Sequence, residues 1–261
     1  MLWGLADDRW TFRPSTKLAG QVLLAGLVVA GGVRITALVG DGLLMQAVTV
    51  LWIVLITNSF NLLDNMDGLC SGTAAIAAAV LALVAVSAGQ PAVALSLSAL
   101  AGASAGFLRW NLAPASIFLG DAGSMFIGFL MASLSVVATY YHYHESLLGI
   151  GVPLLVLAIP LYDTASVLLI RLREGRPMLR GDNSHFSHRL VDLGMSQRQA
   201  VATIHLAALA IALPAAFITR LSTAEGFLIV GQAVLILTVI ALLEHAGHQR
   251  RGKRDGSAGH E

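Results

Sequence analysis

The chain has 261 residues, of which 56% are hydrophobic and 12% charged, with a formal net charge of +1. Soluble domains carry about 25% charged residues, so neither a solvated globular domain nor a nucleic-acid-binding module fits. Apolar runs near the ~20 residues needed to cross a hydrocarbon core recur from end to end, and they predict an all-α, polytopic membrane helical bundle.

The opening "MLWGLADDRWTFRPSTK" is polar and charged and has no hydrophobic stretch of the signal-peptide type. Eight spans follow, over about 18–39, 43–60, 69–88, 91–108, 118–140, 147–170, 199–219 and 223–243. Gly and Ala recur within them ("LAGQVLLAG", "LVAVSAG", "ALAGASAGF"), a composition that suits close helix packing. With the N-terminus placed in the cytoplasm, every Lys and Arg except Arg34 and Arg220 lies in a cytoplasmic segment, as the positive-inside rule requires. Both termini are then cytoplasmic. External connections such as "YHYHES" are short, while the longest cytoplasmic loop runs from 171 to 199. On this reading residues 1–244 form one membrane domain. The basic, Gly-rich 245–261 is a disordered cytoplasmic tail that attracts anionic lipid. A lone cysteine, Cys70, rules out an internal disulfide and reads as a small apolar filler.

Acidic, amide and imidazole residues gather at the cytoplasmic ends of these spans. "NSFNLLDNMDGLCSG", residues 58–72, sets Asn58, Asn61, Asp64 and Asp67 at intervals of three. Neighbours three apart on a helix cooperate, but three residues fall short of a 3.6-residue turn. The set therefore drifts round the helix and enters a loop at Asp-Gly. Two carboxylates flanked by amides suit a hard cation, and Mg2+ takes one or two carboxylates plus phosphate oxygens and water. Capping accounts for one Asp but not for the spacing, and ionisable residues near a membrane are functional hypotheses by default.

"SIFLGDAGSMFIGFL" places Asp121 between Gly120 and Gly123 at the start of a span, with Ser124 next. Glycines admit a phosphate or ion close to the backbone; a helix N-cap is the plainer account. Asp7 and Asp8 stand side by side just before the first span. Adjacent carboxylates repel, so a nearby cation helps keep both charged, or one serves as a base. In "DNSHFSHRL", His185, His188 and Arg189 are groups that bind phosphate, although two His three apart also fit an ordinary polar loop. Arg109, Trp110 and Asn111 close a span as an interfacial aromatic beside a snorkelling cation. Asp163, in "IPLYDTASVLL", is the most buried-looking acid, as a site residue or as a structural carboxylate. No Walker loop and no dinucleotide fingerprint is present, so any nucleotide is held by helix ends and loops.

The order of "DD" before a span, "NSFNLLDNMDGL" and "IFLGDAGS" closely resembles the polyprenyl-phosphate N-acetylhexosamine-1-phosphate transferases. These include the undecaprenyl-phosphate GlcNAc-1-phosphate transferases and the phospho-MurNAc-pentapeptide translocases. The resemblance runs through about residue 205 and implies a helical membrane enzyme with its active site at the cytoplasmic face of the bacterial plasma membrane. It implies transfer of an N-acetylhexosamine-1-phosphate, GlcNAc-1-phosphate by default, from a UDP-sugar to undecaprenyl phosphate, with UMP released, as the first membrane step of a cell-envelope glycan. Mg2+ is the implied cofactor, with Mn2+ as a substitute, and a homodimer is compatible with this reading.

By the same resemblance Asp7 and Asp8 match a catalytic pair, and Asp121 matches the metal ligand. Asn61, Asp64 and Asp67 match residues around nucleotide and metal, Asp64 and Asp67 with catalytic roles and Asp64 also at the metal. Asn111 and Phe118 match positions that hold the uridine, Phe118 by stacking, and Lys17 matches a lysine near the diphosphate. The segment with His185, His188 and Arg189 matches the loop that helps read the sugar. The family's His-x-His-His run is interrupted here by Ser187, which bears on sugar choice and makes a muramoyl-pentapeptide donor less fitting. The resemblance also implies further spans ahead of the Asp7–Asp8 pair, and so an N-terminally truncated chain.

Three rivals follow from the same residues. A cation-coupled transporter also places acids in membrane helices, but it favours broken helices near the midplane and an internal repeat, and no repeat is visible. A CDP-alcohol phosphotransferase needs an Ala-Arg pair that "DGLCSG" lacks. An inactive, truncated relative acting as a binding or scaffold protein is the third.

Overall fold

The computed structural model describes residues 1–35, 42–140, 147–177 and 185–257. Its regular structure there is helical. A short helix α1 (Leu2–Trp10) turns at Thr11, whose φ of 46° is left-handed, into α2 (Pro14–Ala30). Then come α3 (Leu43–Leu63), α4 (Leu69–Ser87), α5 (Pro91–Asn111) and α6 (Gly120–Tyr140). They are followed by α7 (Leu147–Val156), α8 (Ala158–Arg173), α9 (Phe186–Asp192), α10 (Gln197–Ala215), a 3-10 turn at Ile218–Arg220 and α11 (Thr223–Ser257). Local chemistry sets many of the boundaries. Proline opens α2 and α5, where its missing N–H costs nothing. Ser196 and Gln199 form a reciprocal capping box at the start of α10.

Among the described residues six helices are long and apolar enough to cross a membrane, namely α3, α4, α5, α6, α10 and α11. They form a polytopic membrane bundle, as the composition predicts. Within the described part of the expected first span, 18–39, lies the 17-residue α2, which stops at Gly31 and Gly32; residues 36–39 lie outside the described residues. Gly32 sits at φ 98°, a conformation that leaves the helical path. The expected sixth span, 147–170, is two helices broken at Leu157. α7 runs through Pro153 to Val156, and α8 starts afresh after Leu157, whose φ of −100° and ψ of 18° leave the helical path. Disorder was expected from 245 onward, but α11 continues to Ser257; once a helix has formed, each added residue gains a bond without a new nucleus. The "YHYHES" connection and part of the 171–199 loop lie outside the described residues.

The bundle is built round α4, whose apolar window is 72% buried, whereas that of α11 is 11% buried and faces outward. Small residues permit this. Ala74, Ala78 and Ala85 of α4 are fully enclosed. A side chain at Gly128 of α6 meets the α3 backbone, 2.8 Å from the Cα of Thr57. With α3 and α6 this close, the end of α3 and the start of α6 lie together at one end of the bundle. The N-terminal ends of α2, α4 and α10 and the C-terminal end of α5 lie at that same end, by the alternation of the spans.

Candidate active site

Four helix ends meet around Lys17. This residue, in the first turn of α2, places its ammonium 2.9 Å from the Asp7 carboxylate of α1 and 2.7 Å from that of Asp121 in α6. Asn61 of α3 donates to the other oxygen of Asp121, and to Ser124 Oγ at 3.0 Å. Asp7 is buried, and its second oxygen accepts the backbone N–H of Phe12 at 2.7 Å. Burial opposes ionisation of Asp7, but its hydrogen bonds with Asp121, Lys17 and Phe12, and the charge of Lys17, hold its carboxyl below the usual range.

Asp8 plays a different part. Its two oxygens accept the backbone N–H groups of Asp121 and Ala122, at 2.8 and 2.9 Å, so a residue from α1 satisfies the free donors at the start of α6. Asp121 itself is therefore not the cap but sits inside the first turn. Gly4 allows this contact, since a side chain there runs into the Asp121 backbone.

Asp64 follows the last residue of α3 and breaks the helix, with φ −79° and ψ 48°. Among the described residues no partner hydrogen-bonds its carboxyl. Burial, then the negative charges of Asp121 and Asp8, push its pKa up to about 7. Four carboxylates, of Asp7, Asp8, Asp64 and Asp121, therefore share one neighbourhood in which Lys17 is already bound to two of them. Among the described residues no group of three or more His, Cys, Asp or Glu is placed to hold a metal. One or two carboxylates suffice for Mg2+ when phosphate and water supply the rest, and the mutual repulsion of Asp64 and Asp121 is what a divalent cation relieves.

The remaining sequence-predicted residues divide between this centre and its supports. Asn58 pairs with Gln21 of α2, donating to its Oε1 at 2.6 Å. Asp67 accepts the backbone N–H of Ala115 at 2.9 Å. The series from Asn58 to Asp67 thus faces α2, α6 and the 112–119 segment in turn, as its drift round the helix predicts. Asn111 is 3% exposed; it accepts from Gly68 N and Ser71 Oγ and donates to the Ile117 carbonyl at 2.9 Å. It ties α5 to the α4 start and has no amide group left pointing outward. Phe118, on the segment Asn111 secures, is 71% exposed.

His185 and His188 lie with ring centroids 6.4 Å apart. Burial, then the charge of His185, holds the His188 pKa below its ordinary value. Arg189, expected to face phosphate, is instead buried; it donates to Ser166 Oγ at 2.8 Å and lies 3.1 Å from Glu244 of α11. Tyr162 donates to the other Glu244 oxygen at 2.9 Å.

Sequence reasoning missed several contributors. Gln21 was visible as a lone amide in an apolar span. Ser187 donates to Asn65 Oδ1 at 2.6 Å, joining the histidine segment to the loop that carries Asp64. Arg198 holds the 112–119 segment through the Ala113 carbonyl at 2.9 Å. Glu244 carried no signal, since it reads as the end of a span.

Known proteins share this arrangement of sequence. The chain is 35% identical over 212 residues to a Bacillus subtilis (strain 168) protein named probable undecaprenyl-phosphate N-acetylglucosaminyl 1-phosphate transferase, covering 78% of this chain and 58% of that relative. It is 33% identical over 273 residues to a decaprenyl-phosphate N-acetylglucosaminephosphotransferase of Mycolicibacterium smegmatis, covering 93% of this chain and 66% of the relative. A phospho-N-acetylmuramoyl-pentapeptide-transferase of Levilactobacillus brevis is 40% identical over 120 residues, which is 46% of this chain and 34% of that relative. The chain thus spans less than two thirds of the length of these relatives. The model of glycosyl transferase family 4 matches residues 1–139, which carry every group of the Lys17 centre, and the chain belongs to that family.

Proposed function

We propose that the chain transfers GlcNAc-1-phosphate from UDP-GlcNAc to undecaprenyl phosphate and releases UMP, at the cytoplasmic face of the plasma membrane. The observation that carries this reading is Lys17 held between Asp7 and Asp121, with Asn61 and Asp64 beside them. The relatives named for GlcNAc-1-phosphate transfer match far more of the chain than the muramoyl-pentapeptide relative does, which supports GlcNAc.

In the proposed reaction an oxygen of the lipid phosphate attacks the phosphorus bonded to the sugar. A new P–O bond makes the lipid diphosphate, and the P–O bond to UMP breaks. Phosphoryl transfer asks a protein for positioning and charge stabilisation more than for covalent chemistry. Asp121 and Asp64 are the residues to hold Mg2+, or Mn2+ in its place, which when bound polarises the diphosphate and stabilises the leaving UMP. Asn61 and Lys17 fix the two oxygens of Asp121, and Asp8 fixes its backbone. Lys17 is the cation available at the diphosphate. Asp7 keeps Lys17 in place and, once the ammonium turns to substrate, is the base beside the lipid phosphate. Phe118 offers an exposed ring for the uracil; Asn111 and Asp67 secure the segment that presents it. Ser187, in place of the family's middle histidine, spends its hydroxyl on Asn65.

The test is UMP release from UDP-GlcNAc by membranes carrying this chain, with undecaprenyl phosphate and Mg2+, with and without chelator. Lipid-dependent, chelator-sensitive UMP is expected. Absence of UMP, with the protein folded and UDP-GlcNAc bound, favours a binding or scaffold role instead.

A further inference from the structure

Asp163 is the most enclosed acid among the described residues, at 1% exposure. It sits in α8, outside the Lys17 centre, yet both of its oxygens reach the histidine segment. One accepts the backbone N–H of Phe186 at 2.6 Å; the other lies 2.9 Å from His185 Nδ1. His185 is itself 5% exposed. The neighbours leave little freedom: the Tyr162 and Phe186 rings meet edge to face at 5.5 Å, and Ser187 is anchored to Asn65. The segment is therefore fixed from α8 on one side and from the Asp64 loop on the other.

An ionised carboxylate only accepts hydrogen bonds, and Phe186 N–H already takes one oxygen. His185 Nδ1 must then carry a proton. In a neutral ring this leaves Nε2 as an acceptor, the same logic by which a buried carboxylate fixes an imidazole tautomer elsewhere. Among the described residues Nε2 has no hydrogen-bond partner. An acceptor nitrogen does not bind phosphate oxygens, which are acceptors too; it binds a hydroxyl or an amide N–H.

We infer that Asp163 is a positioning residue that sets the His185 tautomer, so that His185 Nε2 receives a hydrogen bond from a hydroxyl or acetamido N–H of the sugar, not from its phosphates. The identity of that ligand rests on the reaction proposed above; the tautomer does not. Asp163→Asn is the informative change, because its amide keeps the shape and one acceptor for Phe186 but presents N–H groups to His185 Nδ1, forcing the proton to Nε2.

The experiment uses the full chain with 15N-labelled histidine in lipid nanodiscs, without substrate, with His185→Gln to assign the ring signals. A proton on Nδ1 is expected in the wild type, and an Nε2–H ring in Asp163→Asn. In the UMP assay with UDP-GlcNAc, both variants are expected to lose about 10–100-fold in kcat/KM, the usual loss for one unmade hydrogen bond, and the double variant no more than the worse single one. A wild-type ring that is Nε2–H or doubly protonated overturns the inference, even where Asp163→Asn does not fold. So does an unchanged tautomer in a folded Asp163→Asn, or losses that multiply. A wild type that makes no UMP yet shows the expected tautomers sinks the sugar reading and the reaction together, and leaves the positioning role standing.

Discussion

Asp8 accepts the backbone N–H of Asp121 at 2.8 Å, so that one acid of the site caps the helix carrying another. The paired carboxylates of "ADDRW" therefore have separate tasks, one pairing with Lys17 and one holding the start of α6. Asp8→Ala is expected to lower stability by about 1 kcal/mol, the usual loss for a missing cap. Asp8→Asn keeps an acceptor for one of the two N–H groups but turns amide hydrogens toward the other, so it should recover only part of the loss. Thermal unfolding in one detergent compares them, and equal losses from Ala and Asn refute the capping role.

Asp64 should ionise unusually late in chelated protein. Its pKa is pushed up from 3.8 to about 7. The folded state thus binds the proton more tightly than the unfolded chain. By linkage the metal-free protein loses stability as pH rises from about 4 to about 7, the opposite of an ordinary paired carboxylate. Asp121→Asn removes one of the negative neighbours and is expected to shift the Asp64 titration, followed by carboxyl infrared absorption, toward lower pH. An unmoved titration refutes the proximity.

The same Asp121→Asn change tests the metal assignment through activity. Divalent-dependent UMP release should disappear while the protein still elutes as a folded species, and retained Mg2+-dependent turnover removes Asp121 from the ligand set.

Phe118→Ala should raise KM for the UDP-sugar on the order of tenfold, since stacking of a base on an aromatic ring is worth ~1–3 kcal/mol. Little change in kcat is expected, because the uracil takes no part in the bonds made and broken. Steady-state kinetics at saturating lipid phosphate decides this; an unaltered KM refutes stacking.

Arg189 and Glu244 form an enclosed ion pair, 6% and 10% exposed, with Tyr162 as a third member. Removing one side strands a buried charge, at a cost of about 3–5 kcal/mol. Glu244→Ala should therefore lower the unfolding midpoint strongly, and Glu244→Gln less. A midpoint unchanged in both argues against the pair.

Much of this was legible in the residues themselves. Apolar run lengths predicted helices at the right places, and the three-residue spacing of Asn58, Asn61, Asp64 and Asp67 predicted that they would face different neighbours. What pattern reading missed depends on which helix ends meet. Asn111 and Phe118 were both expected at the nucleotide, but burial turned one into a structural tie and left the other exposed. Arg189 looked like a phosphate ligand because Glu244, 55 residues downstream in sequence, gives no local sign of its presence. The break at Leu157 gave no local sign, since apolar residues run unbroken on both sides of it.

One contact ties the apolar interior to the 112–119 segment. The His205 ring of α10 fills the space over Gly72 of α4, where any side chain collides with it, while Arg198 one end of the same helix holds the 112–119 segment. A methyl group at position 72 has to displace the His205 ring, whose Cε1 and Nε2 reach into that space. Positions 72 and 205 are thus a lock-and-key pair within the bilayer: drift at one is tolerated when the other shrinks, and a second-site suppressor of Gly72→Ala belongs at His205.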